Sequence, residues 1–285
     1  MASTASNAKP LKSQVGGHAG VLTTEDGSLI IKPALPLELE FYQTVQQSEE
    51  LEHLSMFLPS FIGTLTLEGE IDEKKSAELG NISVNPVDAP QRDETLVKVY
   101  DNITSEAVNT PKSYGKSIKP TDLPDGIARF FPVGVPLPQE GEERPAAAST
   151  TGLPVQTLLS ILKGIHEEVT EIREIFSELE IRMVGGSLLI IYEADWKQAE
   201  EGLKKLDDDQ EGEEDSDQED DEDDQGEEDN KRLGPPYAVK LIDFAHTRLT
   251  PGKGPDEGVL LGLDTVIKLI SGRIGQLEQH SQDYL

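Results

Sequence analysis

The sequence has no cysteine, few aromatic residues and no excess of basic side chains. Without cysteine, the 285-residue chain has no disulfide framework, thiolate zinc site or cysteine nucleophile. Its 25 Lys and Arg against 55 Asp and Glu give a formal charge of −30, which argues against a broadly basic nucleic-acid binder. The longest aliphatic run, residues 187–192, falls far short of the ~20 residues that a membrane span needs. The first residues lack the basic and apolar segments of a secretory signal, so a soluble intracellular protein is expected.

The negative charge is concentrated in one segment. Residues 207–229 contain 17 acidic residues and no Lys or Arg, which leaves −13 for the rest of the chain. Such a segment repels itself and has too little apolar surface to bury, so it predicts a disordered insertion.

Strands and helices mix along the chain without a regular βαβ alternation, which predicts an α+β fold. Apolar residues at three- and four-residue steps predict a long amphipathic helix over residues 158–179. Polar and Pro-rich composition predicts loops at residues 69–94 and 133–151. The other predicted elements are a strand at 28–32 after a turn at 25–27, a helix at 38–54, a turn and strand from residue 57, a strand at 95–100, a buried strand at 187–192, a helix at 195–206, a strand at 236–244 and a helix at 260–274.

Lys32 ends an apolar strand that follows a glycine-bearing hairpin, residues 16–20. Glycines let a backbone approach phosphates, and a strand lysine reaches them as a point charge, as in kinase nucleotide sites. The alternative is an ordinary turn followed by a surface lysine.

Asp243 and His246 lie at the end of a predicted buried strand. A carboxylate in that position is placed to bind Mg²⁺ between two phosphates, and the histidine could bond a substrate phosphate or hydroxyl. The alternative is a capping aspartate with a surface histidine.

A third feature is a group of basic residues on an otherwise acidic chain, which suggests a small polyanionic ligand, with a solvated loop as the alternative. Its members are Lys112, Lys116, Lys119 and Arg129.

Taken together, the ordered segments resemble the inositol polyphosphate kinase family, most closely the fungal multikinases. The matching segments are Gly17-His18-Ala19-Gly20, the Lys32 strand, Glu38 to Tyr42, Pro59 to Gly63, Ser113 to Lys116, Ser187-Leu188-Leu189 and Ile242 to His246. The resemblance implies a two-lobed, kinase-like fold with a disordered N-terminus (1–14), an ATP-binding lobe (15–100) and a C-terminal lobe (101–285).

The resemblance also implies ATP and Mg²⁺ as cofactors and assigns roles to individual residues. Lys32 would contact ATP phosphates, Asp243 would bind Mg²⁺ and Ser187 would belong to the nucleotide site. His246 and Lys116 would contact the inositol phosphate. Inositol polyphosphates, and for some members phosphoinositides, are the implied substrates, and cytoplasm and nucleus are the implied locations.

The chain departs from the family at its signature, Pro-x-x-x-Asp-x-Lys-x-Gly, which follows none of its 18 prolines. The resemblance places that motif near residue 97, so the hinge, the signature Asp and Lys and the following helix are missing, on the order of 50 residues. Without the groups that orient the hydroxyl, phosphoryl transfer should slow by several powers of ten. We therefore expect an impaired kinase without intact catalytic residues. A gene-model or splice error explains the gap better than an evolved pseudokinase.

The alternative function is a non-catalytic protein that contacts basic partners, such as transcription factors or histones, through its acidic tract.

Overall fold

A computed structural model describes residues 8–11, 21–33, 35–64, 95–135, 150–213 and 235–282. The helices are α1 (Pro36–Val45), α2 (Glu52–Ser55), α3 (Lys112–Ser117), α4 (Leu123–Phe130), α5 (Val155–Glu178), α6 (Trp196–Glu213) and α7 (Glu257–Gln282), with 3-10 turns at Glu49–Leu51 and Pro120–Asp122. The strands are β1 (Lys9–Pro10), β2 (Leu22–Thr23), β3 (Ile30–Ile31), β4 (Thr95–Asp101), β5 (Glu106–Pro111), β6 (Ile181–Met183), β7 (Ser187–Tyr192), β8 (Tyr237–Ile242) and β9 (Thr247–Leu249). This mixture confirms the α+β prediction.

The strands of the described residues pair in small antiparallel sheets. β1, β2 and β3 form one sheet, and β4–β5, β6–β9 and β7–β8 form three two-stranded ones. The β2–β3 turn lies where Glu25-Asp26-Gly27 predicts it, with Gly27 at φ +78°. That turn delivers Lys32 directly after β3.

The core is centred on α5, whose apolar stripe is buried as its periodicity predicts. Its buried side chains are Leu158, Leu159, Ile161, Leu162, Ile165, Val169, Ile172 and Phe176. They pack with residues of α1, α2, β8 and α7 in one hydrophobic cluster, and α7 is the main helical partner of α5. α6 and α7 occur where helices are predicted, but both run further than predicted.

Three sequence predictions are corrected. The helix at 38–54 is broken after Val45, because Ser48 adopts an extended conformation (φ −111°, ψ 115°) that a helix cannot continue through. The turn predicted at residue 57 is present, but no strand forms over residues 58–64, where Pro59 lacks an N–H, and residues 65–68 lie outside the described residues; the Phe57 carbonyl instead accepts a bond from the Leu241 N–H of β8 (2.8 Å). β7 is a strand, but it is not buried, since its sheet has only two described strands and Ile191 is 56% exposed.

The predicted disordered insertion is also partly helical. α6 continues to Glu213, so residues 207–213 of the acidic run belong to a helix. The rest of that run, the glycine hairpin at 16–20, the loop at 69–94, most of the loop at 133–151 and nearly all of residues 1–14 lie outside the described residues. Within the described ranges, no helix has both the length and the apolar character to cross a membrane.

Candidate functional site

The candidate site is a corner where three segments meet: the end of β3, the first turn of α1 and the residue after β8. Lys32 Nζ lies 2.6 Å from Glu38 Oε1 and 3.8 Å from Asp243 Oδ1. The ammonium group therefore lies between two carboxylates that are 205 positions apart in the sequence. We call these three residues the charged corner.

Glu38 is the buried member of the charged corner. Its side chain is 5% exposed, against 36% for Lys32 and 25% for Asp243. The same Oε1 atom that accepts from Lys32 also accepts the Phe244 N–H (3.2 Å). One carboxylate oxygen thus fixes the lysine and the segment that carries Asp243. Its position in the first turn of α1 is electrostatically favourable, because helix N-termini stabilise negative charge.

Aromatic packing holds α1 against the segment after β8. Phe244 is fully buried and stacks on Phe41, with ring centroids 4.5 Å apart. Tyr42 contacts the edge of Phe244, with its ring 5.6 Å away, and stacks on Phe61. Burial, then the negative charges of Glu38 and Asp243, raise the pKa of Tyr42, so its hydroxyl stays neutral beside the charged corner.

The backbone at Asp243 is unusual for a residue with a side chain. Its φ is +67°, in the left-handed region that Asp and Asn tolerate better than most residues. This conformation turns the chain sharply after β8, and Phe244 continues into the core. Positive-φ residues of this kind cluster at functional sites.

Two other predicted site residues lie close to Asp243 along the chain or across the sheet. Ser187 pairs with Ile242, the residue immediately before Asp243, in the β7–β8 register. His246 is exposed three residues after Asp243, and its carbonyl accepts the Val184 N–H (3.3 Å). The structure therefore groups Lys32, Ser187, Asp243 and His246 around one end of β8.

Lys116 lies on a different part of the fold. It is exposed on α3, a short helix that packs against β4 and β5, so residues 112–117 are helical and not a loop, whereas their function stays a prediction. Arg129 lies over the Tyr114 ring of the same helix, 4.8 Å from its centroid. These contacts connect the predicted basic residues to the β4–β5 hairpin, not to the charged corner.

Asp101 and Asn102, at the turn between β4 and β5, have structural contacts. Asp101 accepts the N–H groups of Ile103 and Thr104, which lowers the pKa of its carboxyl together with the Thr150 hydroxyl bond. Asn102 donates to the Ala194 carbonyl (2.9 Å) and accepts the Trp196 N–H (3.0 Å). The pair therefore connects the β4–β5 turn to the start of α6.

Glu38 is the site residue that sequence reasoning missed. It lies in one of the segments that resemble the family, but the sequence pattern gives it no role. The sequence feature that could indicate its importance is an acidic residue in an otherwise apolar helix start that follows two prolines. Its partners lie six and 206 positions away, so spacing along the chain does not reveal them.

Comparison with known proteins connects this arrangement to one family. The family described as inositol polyphosphate kinase matches residues 96–271, more than half of the chain. Inositol polyphosphate multikinase of Saccharomyces cerevisiae is 27% identical over 360 aligned residues, which cover 93% of this chain and 98% of that protein. Because 360 exceeds the 285 residues of the chain, at least about 75 aligned positions of the relative have no counterpart here.

Two solved structures of inositol phosphate multikinases are also similar. One, from S. cerevisiae in complex with ADP and Mn²⁺, is 20% identical, covers 85% of this chain and 98% of its own, and has a TM-score of 0.49. The other is 15% identical, covers 83% and 99%, and has a TM-score of 0.45. The family match alone spans Lys116, Ser187, Asp243 and His246. This chain therefore belongs to the inositol polyphosphate kinase family.

Proposed function

We propose that this chain is by descent an ATP-dependent kinase that transfers the γ-phosphate of ATP to a hydroxyl of an inositol polyphosphate. The observation that carries the proposal is the charged corner, in which Lys32 and Asp243 approach within 3.8 Å. Protein kinases use the same three elements: a strand lysine, a helix glutamate that holds it and a metal-binding aspartate before a phenylalanine.

Each member of the charged corner has a distinct proposed role. Lys32 would neutralise charge on the nucleotide phosphates as a point cation. Glu38 would hold the lysine in place and keep it in register with Asp243 through the Phe244 N–H. Ser187, next to the end of β8, would belong to the nucleotide site.

The residues of the charged corner fit a magnesium ion that arrives with the nucleotide. Mg²⁺ is commonly held by one or two carboxylates together with substrate phosphates, rather than by a cage of protein ligands. Asp243 offers one partly exposed carboxylate, and the described residues contain no cluster of three acidic or histidine side chains able to enclose a metal. When bound, the ion would neutralise phosphate charge, and Asp243 would be its protein ligand.

The substrate side of the site is incomplete in this sequence. His246 and Lys116 are the proposed contacts to the inositol phosphate, but the signature Asp and Lys are missing. Phosphoryl transfer depends on positioning the attacking hydroxyl. This chain should therefore retain nucleotide affinity while its rate of phosphoryl transfer is low.

Kinetics on the full chain test the proposal. Protein incubated with ATP, Mg²⁺ and inositol trisphosphate should show slow phosphate transfer that Asp243→Ala abolishes. The matched control is Asp125→Ala, which removes an exposed carboxylate on α4 and should leave the rate unchanged. Turnover that survives Asp243→Ala would contradict the proposed site.

The second candidate function is a non-catalytic protein that binds inositol phosphates or basic partners. The missing signature and the 17 acidic residues of the 207–229 segment favour it. Inositol trisphosphate binding without any transfer, in protein that still binds ATP, would support this reading over the enzyme.

Sequencing the message across codons 93–100 tests the origin of the gap. A junction there that restores the signature would show that this polypeptide derives from an incorrectly joined transcript. A continuous message would leave the shortened chain as the protein to be assayed.

A further inference from the structure

The antiparallel pair β6–β9 presents two arginines side by side. Arg182 is directly opposite Arg248, and the bond from the Val184 N–H to the His246 carbonyl extends the same register by one residue pair. Residues directly opposite each other in an antiparallel pair project from the same face, and alternate residues share it. Arg182, Val184, His246 and Arg248 therefore share one face of this ribbon, which we call the cationic face.

The opposite face of the ribbon is directed at the core. It carries the pairs Ile181–Leu249 and Met183–Thr247. Ile181 is fully buried and Thr247 is 3% exposed, whereas Arg248 and His246 are exposed. The burial pattern thus fixes the orientation of the ribbon and leaves the cationic face toward solvent.

The two arginines have different contacts. The Arg182 guanidinium donates to the carbonyls of Lys253 and Gly254, both at 2.8 Å, and so fastens the loop before α7. The Arg248 guanidinium forms no hydrogen bond or ion pair within the described parts of the chain. Like charges placed opposite each other on a ribbon are unfavourable unless an anion lies between them.

Two carboxylates on the neighbouring segments, Glu180 and Asp256, bind backbone N–H groups. Glu180 accepts the N–H groups of Gly252 and Gly254, and these bonds lower the pKa of its carboxyl. Asp256 accepts the N–H groups of Met183 and Gly258, each at 3.1 Å. On a chain with a net charge of −30, Arg248 still has no acidic partner in the described ranges.

The cationic face lies partly on β9, which begins four residues after Asp243. Arg248 follows Asp243 by five residues, a separation that a fully extended chain spans in at most ~18 Å. α1, which carries Glu38, packs directly against β9. For one substrate to contact both places, its reacting hydroxyl would lie near a nucleotide at Asp243 and another of its phosphates near Arg248.

We propose that Arg248 binds a phosphate of the inositol polyphosphate, beside His246, and helps to determine which phosphorylated ring the protein accepts. The identity of the ligand rests on the proposed function. The observation that the Arg248 guanidinium has no partner among the described residues is independent of that function. The ligand chemistry is a ring with several phosphates, either free in solution or as a lipid headgroup. Because the signature lysine is missing, a substrate phosphate must find its cationic partners among residues such as these.

Calorimetric titration of the full chain with inositol trisphosphate tests the assignment. Arg248→Gln should weaken binding about tenfold and make it less sensitive to salt, because one charge-assisted contact is lost. Arg248→Lys should recover part of the affinity. ATP binding should stay unchanged and the thermal midpoint should not fall, since the Arg248 guanidinium makes no hydrogen bond or ion pair among the described residues and Arg248→Gln relieves its repulsion from Arg182.

Lys205→Gln is the matched control, because it removes the same charge from an exposed position on α6. Equal weakening by both substitutions, or no weakening by Arg248→Gln, would overturn the assignment. Vesicles containing phosphatidylinositol bisphosphate separate the two ligand sources: stronger Arg248-dependent binding to vesicles identifies a headgroup, and stronger binding to the soluble trisphosphate a free ligand.

The assignment and the proposed function fail separately. Phosphate transfer that depends on Asp243 but not on Arg248, with unchanged trisphosphate affinity in Arg248→Gln, overturns the assignment alone. Inositol trisphosphate binding that depends on Arg248, without any phosphate transfer, supports the assignment of Arg248 and contradicts the proposed kinase function. Absence of all inositol phosphate binding overturns the assignment.

Discussion

Helix α5 packs against α7 through many interchangeable apolar contacts, whereas the charged corner depends on one oxygen atom. Eight side chains of α5 are buried, so no single one of them determines where the helix lies. At the charged corner, Glu38 Oε1 alone meets both Lys32 and the Phe244 N–H. Hydrophobic burial is non-directional and distributes over area, while a buried carboxylate acts through a few directed bonds. The helix pair should therefore tolerate local damage that the charged corner does not.

Removing Glu38 is the strongest way to test that contrast. Glu38→Ala leaves the buried Phe244 N–H without an acceptor and Lys32 without its close partner, so the free energy of unfolding should fall by about 3 kcal/mol. ATP affinity should fall as well, because Lys32 loses its fixed position. Denaturant unfolding and nucleotide titration measure the two effects.

Two controls separate stability from site geometry. Leu162→Ala should cost about 2–5 kcal/mol through a core cavity, yet leave ATP affinity unchanged. Glu40→Ala, on an exposed position of the same helix, should stay within about 0.5 kcal/mol of the parent chain. If Leu162→Ala reduced ATP affinity as much as Glu38→Ala does, the distinct role of the charged corner would be lost.

Sequence periodicity located the helix pair because its information is local. The stripe over 158–179 predicts α5 to within a few residues, and the strands at 95–100 and 236–244 are found for the same reason. The helix at 38–54 fails because apolar spacing continues across Ser48, where the backbone is extended. Family membership identifies the fold more specifically than periodicity does, because an irregular order of helices and strands alone does not specify a particular fold.

The charged corner was predictable only in part. The motif order identified Lys32 and Asp243, and the structure brings them together. Their functional roles stay predictions. The sequence pattern does not distinguish Glu38 or Arg248, because the importance of each depends on its neighbours in space: Glu38 accepts a distant backbone N–H, and the Arg248 guanidinium has no partner among the described residues.

The tolerance of the helix pair should end where α5 touches a strand. Gly164 lies in α5 against the Tyr237 ring, and an added Cβ would overlap that ring. Gly164→Ala should therefore lower the free energy of unfolding by about 1–3 kcal/mol, although alanine is the better helix former. Thermal unfolding of the two proteins measures the difference.

Gly272 of α7 provides the opposite case. An added Cβ there meets no atom within 4 Å, so Gly272→Ala should stabilise the protein by about 0.5–1 kcal/mol. In a Tyr237→Ala background, Gly164→Ala should also become stabilising because the overlap is gone. A destabilising effect that persists in that background would mean that the Tyr237 contact is not its cause.

The smallest expected effect concerns Glu180, which binds backbone N–H groups as Glu38 does but at a partly exposed position. Bonds from Gly252 and Gly254 lower the pKa of the Glu180 carboxyl. A lowered pKa contributes stability above the usual carboxyl value of about 4.3, and that contribution is lost as the pH falls through the lower folded value. The Glu180→Gln variant should thus be less stable than the parent chain at pH 7, and this difference in stability should disappear below about pH 4. Thermal midpoints measured across this range, with the exposed Glu50→Gln as control, should show the closing gap for Glu180 only. A stability difference independent of pH would mean that the loss comes from poorer hydrogen-bond geometry of the glutamine amide and not from the loss of the negative charge.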